Sequence, residues 1–99
     1  TFIDRYCTKL NINQDLTQLC KFIACVVEQK KSIPENTPQS IATGIVYFVT
    51  QLCNLNVTKS DISIISTVSE VTINKCYKKL EDIQDEFLPP KIKEKYQFN

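Results

Sequence analysis

The stretch Thr58-Lys59-Ser60-Asp61-Ile62-Ser63-Ile64-Ile65-Ser66-Thr67-Val68-Ser69-Glu70-Val71-Thr72-Ile73-Asn74-Lys75-Cys76-Tyr77-Lys78-Lys79-Leu80 decides the fold. Thr58 is placed to cap a short helix that turns Ile62 and Ile65 inward. A tight turn falls at Thr67, and Ser69 is placed to cap a second helix with Ile73, Tyr77 and Leu80 inward. Helix, tight turn, helix is a helix-turn-helix pattern, spanning residues 58–84. The inward set leaves Thr72, Asn74, Lys75, Lys78 and Lys79 largely outward. Between Val71 and Leu80 there are three lysines and no acid, whereas Glu81-Asp82-Ile83-Gln84-Asp85-Glu86 is acidic. Positive charge is therefore concentrated on the second helix of the pair.

Upstream, Gln39 to Cys53 is apolar over most of its circumference, with Ile41, Ala42, Ile45, Val46, Phe48, Val49 and Leu52, as expected of a central helix surrounded by others. Thr37 is placed to cap it, and Pro38 suits its first position, where a missing N–H is harmless. Gly44 inside this run predicts a close helix-helix contact, since Gly is ~1 kcal/mol less favourable than Ala in a helix and should have a packing reason. Before it, Ser32-Ile33-Pro34-Glu35-Asn36 breaks a long amphipathic helix running from Gln14 to Lys31, with Leu16, Leu19, Cys20, Ile23, Val26 and Val27 inward. A first helix, Phe2 to Leu10, turns Phe2, Ile3, Tyr6 and Leu10 to one side, and Asn11 or Asn13 ends it and caps the next. Tyr47, Tyr77, Phe48 and Phe22 are expected in the core. After Phe87-Leu88-Pro89-Pro90, residues 89–99 read as a tail or short final helix. The fold expected is an all-α domain over residues 1–88.

Ninety-nine residues make one domain, with 42% hydrophobic and 23% charged residues and a net charge of +1. That balance argues against a global polyanion binder and leaves a local patch open. Gly44-Ile45-Val46-Tyr47-Phe48-Val49 is far short of the ~20 apolar residues of a membrane-spanning helix. There is no His and no Trp, which removes Ser-His-Asp and Cys-His nucleophiles and imidazole-based zinc sites. A single Gly precludes Gly-rich phosphate loops. No cofactor and no enzyme activity are expected. The five cysteines, Cys7, Cys20, Cys25, Cys53 and Cys76, form no C-x-x-C pair and read as packing residues of a reducing compartment. The absence of Met suggests a fragment or processed product of a longer chain.

Three separated blocks resemble the second cyclin-like repeat of transcription initiation factor IIB and its archaeal and viral relatives. Phe2-x-x-Arg5-Tyr6-Cys7-x-x-Leu10 is similar to that repeat's opening helix. Thr37-Pro38-x-Ser40-Ile41-Ala42 with Val46-Tyr47 resembles its central helix, and Val68-x-x-Val71-Thr72-Ile73 with Tyr77 resembles its recognition helix. The correspondence runs from about Phe2 to Leu88. It implies a five-helix cyclin-type bundle whose last two helices form a helix-turn-helix entering the major groove beside the TATA element. It further implies binding to double-stranded promoter DNA with TATA-binding protein, a link to RNA polymerase through the rest of the full-length protein, no membrane association and a monomer. The location implied is the nucleus, or a cytoplasmic site of transcription for a large DNA virus or an archaeon.

Carried over by position, Val71 and Thr72 match residues that the family places against bases and backbone, and Lys78 matches a basic residue near a phosphate. Ser69, Lys75 and Lys79 complete the candidate DNA-facing set. Where the family commonly has a guanine-reading Arg, this chain has Asn74, which suits the N6/N7 edge of adenine. Two other departures stand out: Glu35-Asn36 replaces a frequent Gly-Arg pair, and Thr67 replaces the turn Gly. A β-branched residue is poorly suited to positive φ, so a strained or rearranged turn is expected there. Two other functions fit the same bundle: a cyclin-like protein-binding regulator, and a free-standing helix-turn-helix repressor that dimerises on palindromic sites.

Overall fold

The computed structural model describes residues 2–31, 33 and 37–87. Five α-helices run in order: α1 (Phe2–Lys9), α2 (Gln14–Lys30), α3 (Pro38–Leu52), α4 (Lys59–Ser66) and α5 (Glu70–Asp82), with a 3-10 turn at Gln84–Glu86. No strand occurs among the described residues, and the five helices form the expected cyclin-type bundle. The Glu35-Asn36 departure and the tail at 89–99 lie outside the described residues.

Each helix from α2 to α5 begins where a polar side chain satisfies a backbone N–H that has no partner within the helix. Asn11 and Asn13 divide the work between α1 and α2. Asn11 takes the left-handed conformation at φ 57° and ends α1, and Asn13 Oδ1 accepts from the Leu16 N–H at 2.9 Å to start α2. Thr37 Oγ1 accepts from the Ser40 N–H at 3.2 Å, with Pro38 in the first turn of α3. Past α3, Gln51 Nε2 donates to the Val57 carbonyl at 2.9 Å and braces the loop into α4.

The central helix expected from sequence is α3, which packs against all four others. Ala42, Ile45, Val46, Phe48 and Val49 are buried on it. Thr43 and Thr50 are buried too, because their hydroxyls donate back to the carbonyls of Ser40 (2.6 Å) and Tyr47 (2.8 Å) and leave no polar group stranded. Beyond α5, Phe87 is buried with its ring edge-on to Phe48, centroids 5.5 Å apart.

Two aromatic expectations need correction. Phe22 is 44% exposed and Phe2 sits at the surface boundary. Both flank the apolar stripe of their helix rather than lying on it, while Cys7 takes the core position on α1 beside Ile3 and Tyr6.

The α3–α5 contact turns on Gly44. A Cβ built there would fall 2.5 Å from Cys76 Cβ and 3.2 Å from the Cys76 carbonyl carbon. Real carbon atoms do not approach so closely, so the helices meet at this distance only because residue 44 has no side chain. We expect Gly44→Ala to destabilise the fold by about 2 kcal/mol or more through overpacking, despite the better helix propensity of Ala. Urea unfolding measures it, and a neutral or stabilising result would show that α5 can shift freely.

Candidate nucleic-acid interface

The helix-turn-helix is built by α4, the turn Thr67–Ser69 and α5. A reciprocal capping box starts α4: the Asp61 N–H donates to Thr58 Oγ1 (3.1 Å), and the Thr58 N–H donates to Asp61 Oδ2 (3.0 Å). Ser69 caps α5, its hydroxyl accepting from the Thr72 N–H (3.2 Å) and donating to Thr72 Oγ1 (3.0 Å). The Ser69 and Thr72 side chains are therefore tied to each other.

The turn between them passes through positive φ. Thr67 sits in the left-handed region at φ 62°, ψ 11° and closes α4 with its N–H on the Ser63 carbonyl. Its hydroxyl donates to the Ser66 carbonyl at 2.5 Å. Buried Ser66 organises the rest: its hydroxyl donates to the Ile62 carbonyl (2.6 Å) and accepts from the Val68 N–H (3.2 Å). The Ser66 carbonyl also receives Gln39 Nε2 from the first turn of α3 at 2.7 Å. Thr67 takes the strained, left-handed conformation itself.

Ile73, Cys76 and Leu80 of α5 are buried. Tyr77 is half-buried, its ring edge-on to Tyr47 at 4.9 Å and tilted to Phe48 at 6.1 Å. Burial pushes the Tyr77 phenol above its ordinary pKa, and Glu81, one turn on, adds its charge and hydrogen bond in the same direction. Both tyrosines thus pack against each other rather than standing as free stacking platforms.

The outward face carries the sequence-predicted residues. Val71, Lys75 and Lys78 share the outermost line at spacings of four and three residues; Val71 is 64% exposed and the two lysines are on the same side. Thr72 and Lys79 lie on one flank. Asn74 lies half-buried on the other, the side that also carries exposed Glu70 and Glu81. Exposed Asp82 and Asp85 follow. The positive stripe is thus confined to the middle of α5, with acids at both ends.

Sequence reasoning missed three residues here. Gln39 gives no local signal, because its partner is 27 residues away. Lys59, which opens α4, lies 5.6 Å from the centroid of the Tyr47 ring and adds a cation beside the helix pair. Ile64 is 75% exposed on α4, and the helical period that turns Ile62 and Ile65 inward does signal it. Among the described residues, no group of three or more His, Cys, Asp or Glu side chains is arranged to hold a metal ion. No described helix is long and apolar enough to cross a membrane.

Residues 1–83 match the family model of the transcription factor TFIIB repeat. The chain belongs to the TFIIB repeat family. It is 37% identical over 79 residues to a putative transcription initiation factor IIB-like protein of Acanthamoeba polyphaga mimivirus, covering 80% of this chain and 17% of that protein. It is 34% identical over 85 residues to the plant-specific TFIIB-related protein 1 of Arabidopsis thaliana, covering 86% and 17%. Transcription initiation factor IIB of Encephalitozoon cuniculi is 31% identical over 88 residues, covering 88% and 28%. The TFIIB repeat seen here therefore spans between about a sixth and about a quarter of these relatives' lengths.

A threonine at φ 62° stores strain of about 1 kcal/mol that a glycine would not. Thr67→Gly is expected to stabilise the repeat by up to about that amount, the gain being reduced by the greater freedom of Gly in the unfolded chain. Its left-handed turn should persist. Chemical denaturation checks the first point, and unchanged amide chemical shifts along α5 check the second.

Proposed function

We propose that this repeat is the promoter-binding second repeat of a general transcription initiation factor, seating α5 in the major groove beside a TATA element bound by TATA-binding protein. The observation that carries this is the acid-free stripe of Lys75, Lys78 and Lys79 on the second helix of a helix-turn-helix, in a chain whose relatives are named initiation factor IIB. The role is one of positioning and charge neutralisation. Phosphate contacts fix a protein's register on the duplex, and base edges supply the specificity.

Lys75 and Lys78, on the outermost line, neutralise phosphates on either side of the groove, with Lys79 supporting from the flank. Ser69 and Thr72, at the start of α5, face the sugar-phosphate backbone through hydroxyls already ordered by their mutual hydrogen bond. Val71 offers its methyl groups to a base edge, where a thymine methyl is the matching surface. Asn74 stands where an arginine would read guanine, and it reads adenine or makes no base contact. RNA polymerase is engaged through the remainder of the full-length protein. The site of action is wherever that polymerase works, the nucleus or the cytoplasmic site of transcription of a large DNA virus or an archaeon.

Binding of the repeat, in its full-length protein, to a TATA-containing duplex with TATA-binding protein should weaken steeply with salt. In the Lys75/Lys78/Lys79 triple Ala variant, the slope of log affinity against log salt should fall by about 0.9 for each phosphate no longer neutralised by a lysine. An unchanged slope would remove α5 from the interface. Salt-insensitive capture of a protein partner would instead favour a cyclin-like regulator, and two copies on a palindromic site a repressor.

Asn74 makes a separate expectation. Binding-site selection should return adenine, or no preference, at the base pair facing residue 74, and Asn74→Arg should shift selection toward guanine by about 1–3 kcal/mol, or roughly 5-fold to 150-fold. Guanine selected by the natural chain would overturn the role given to Asn74.

A further inference from the structure

The turn that leads into α5 is held by two kinds of hydrogen bond. Those that shape it are local: the Ser66 hydroxyl donates to the Ile62 carbonyl and accepts from the Val68 N–H, and the Thr67 hydroxyl donates to the Ser66 carbonyl. None of these decides where the turn stands relative to α3. Gln39 does, because its Nε2 crosses from the first turn of α3, 27 residues away in sequence, to the Ser66 carbonyl at 2.7 Å. Ser66 is 3% exposed, so the bond is made where water competes little for it. The Thr37 cap and Pro38 fix the end of α3 on which Gln39 is mounted.

This second tie matters because the first is a pivot. At Gly44 the backbone of α3 meets α5 at Cys76, and contact at one point fixes the separation of two helices without fixing the angle between them. The apolar packing of Ile73 and Leu80 resists separation, but it is non-directional. From Cys76 back to Glu70, the first residue of α5, the helix forms a lever of about 9 Å. A tilt of about 10° about Cys76 moves the start of α5 by about 1.6 Å, enough to break a hydrogen bond or a methyl contact at a base edge. Lysines on long, flexible stems follow phosphates through such a displacement.

We propose that Gln39 is a positioning residue for sequence readout: by holding the Ser66 carbonyl it sets the angle of α5 about the Gly44 contact, and so the register of Val71 and its neighbours against base edges. The inference rests on the promoter-binding reading above. It gives a side chain of α3, outside the helix-turn-helix, control over which bases that pair selects, separately from the phosphate attraction of Lys75, Lys78 and Lys79. Thr67 sharpens the need for such a tie, because a residue that disfavours its own φ of 62° biases the turn toward other conformations.

Gln39→Leu keeps the size of the side chain and removes the donor, while the Thr67 hydroxyl still satisfies the Ser66 carbonyl. The test compares the full-length protein and this variant, with TATA-binding protein, on a promoter duplex and on a duplex of scrambled flanking sequence, at several salt concentrations. The variant should lose about 5-fold to 10-fold in the ratio of the two affinities, about the worth of one hydrogen bond. Its salt slope should be unchanged. Residual dipolar couplings of the chain's backbone amides should show α5 turned relative to α3. A destabilising core variant, Val27→Ala, should lower the melting temperature and leave the ratio alone. An unchanged ratio in Gln39→Leu would overturn the inference, as would an equal loss on both duplexes. If the natural protein does not discriminate at all, the promoter-binding reading fails with it. The couplings then still decide whether Gln39 orients α5, an unchanged angle counting against it.

Discussion

Because residue 44 lacks a side chain, α5 can lie with its backbone at Cys76 almost against α3. The placement of the helix-turn-helix follows from that approach. It lets Ile73 and Leu80 reach the core and brings Tyr77 edge-on to Tyr47. It also leaves the opposite side of α5 facing out. A wider separation would open voids beneath Ile73 and Leu80, whose burial is worth about 1.5–3 kcal/mol each. The lysine stripe is outward because the contact opposite it is close.

The turn into α5 is a second constraint, and it works by accumulation. Thr67 alone disfavours its own conformation. Around it, the Ser66 side chain bonds both Ile62 and Val68, and Gln39 reaches over from α3 to the Ser66 carbonyl. Together these bonds over-determine the backbone, which is how a β-branched residue persists at positive φ. The same Gln39 bond ties the start of the central helix to the turn. The two helices of the helix-turn-helix are thus referenced to α3 at both Gly44 and Gln39.

The helices were legible in the sequence because their signals are local. Asn13, Thr37, Thr58 and Ser69 each cap within three residues, and apolar spacing fixed the inward faces of α3, α4 and α5. The outward set on α5 followed by subtraction from Ile73, Tyr77 and Leu80. What stayed hidden depends on contacts between distant residues. Nothing near Gln39 announces Ser66. Phe2 and Phe22 were misplaced because hydrophobicity was read as burial at the edge of a stripe, where a helix commonly leaves large apolar residues part-exposed. Thr67 was the intermediate case: its mismatch with positive φ was visible, but whether the backbone or the residue would yield depended on Ser66 and Gln39.

The acids at the two ends of α5 have a consequence of their own. Glu70 stands before the first lysine, and Glu81, Asp82 and Asp85 stand after the last. A polyanion laid along this face would meet attraction over Lys75 to Lys79 and repulsion at Asp82 beyond them. Displacing it by one turn, ~5.4 Å, toward the end of α5 would bring a phosphate from beside Lys78 to beside Asp82. The chain's near-neutral net charge is therefore an arrangement in space: in the proposed complex the negative residues would act as end stops that restrict where along the helix a duplex could rest.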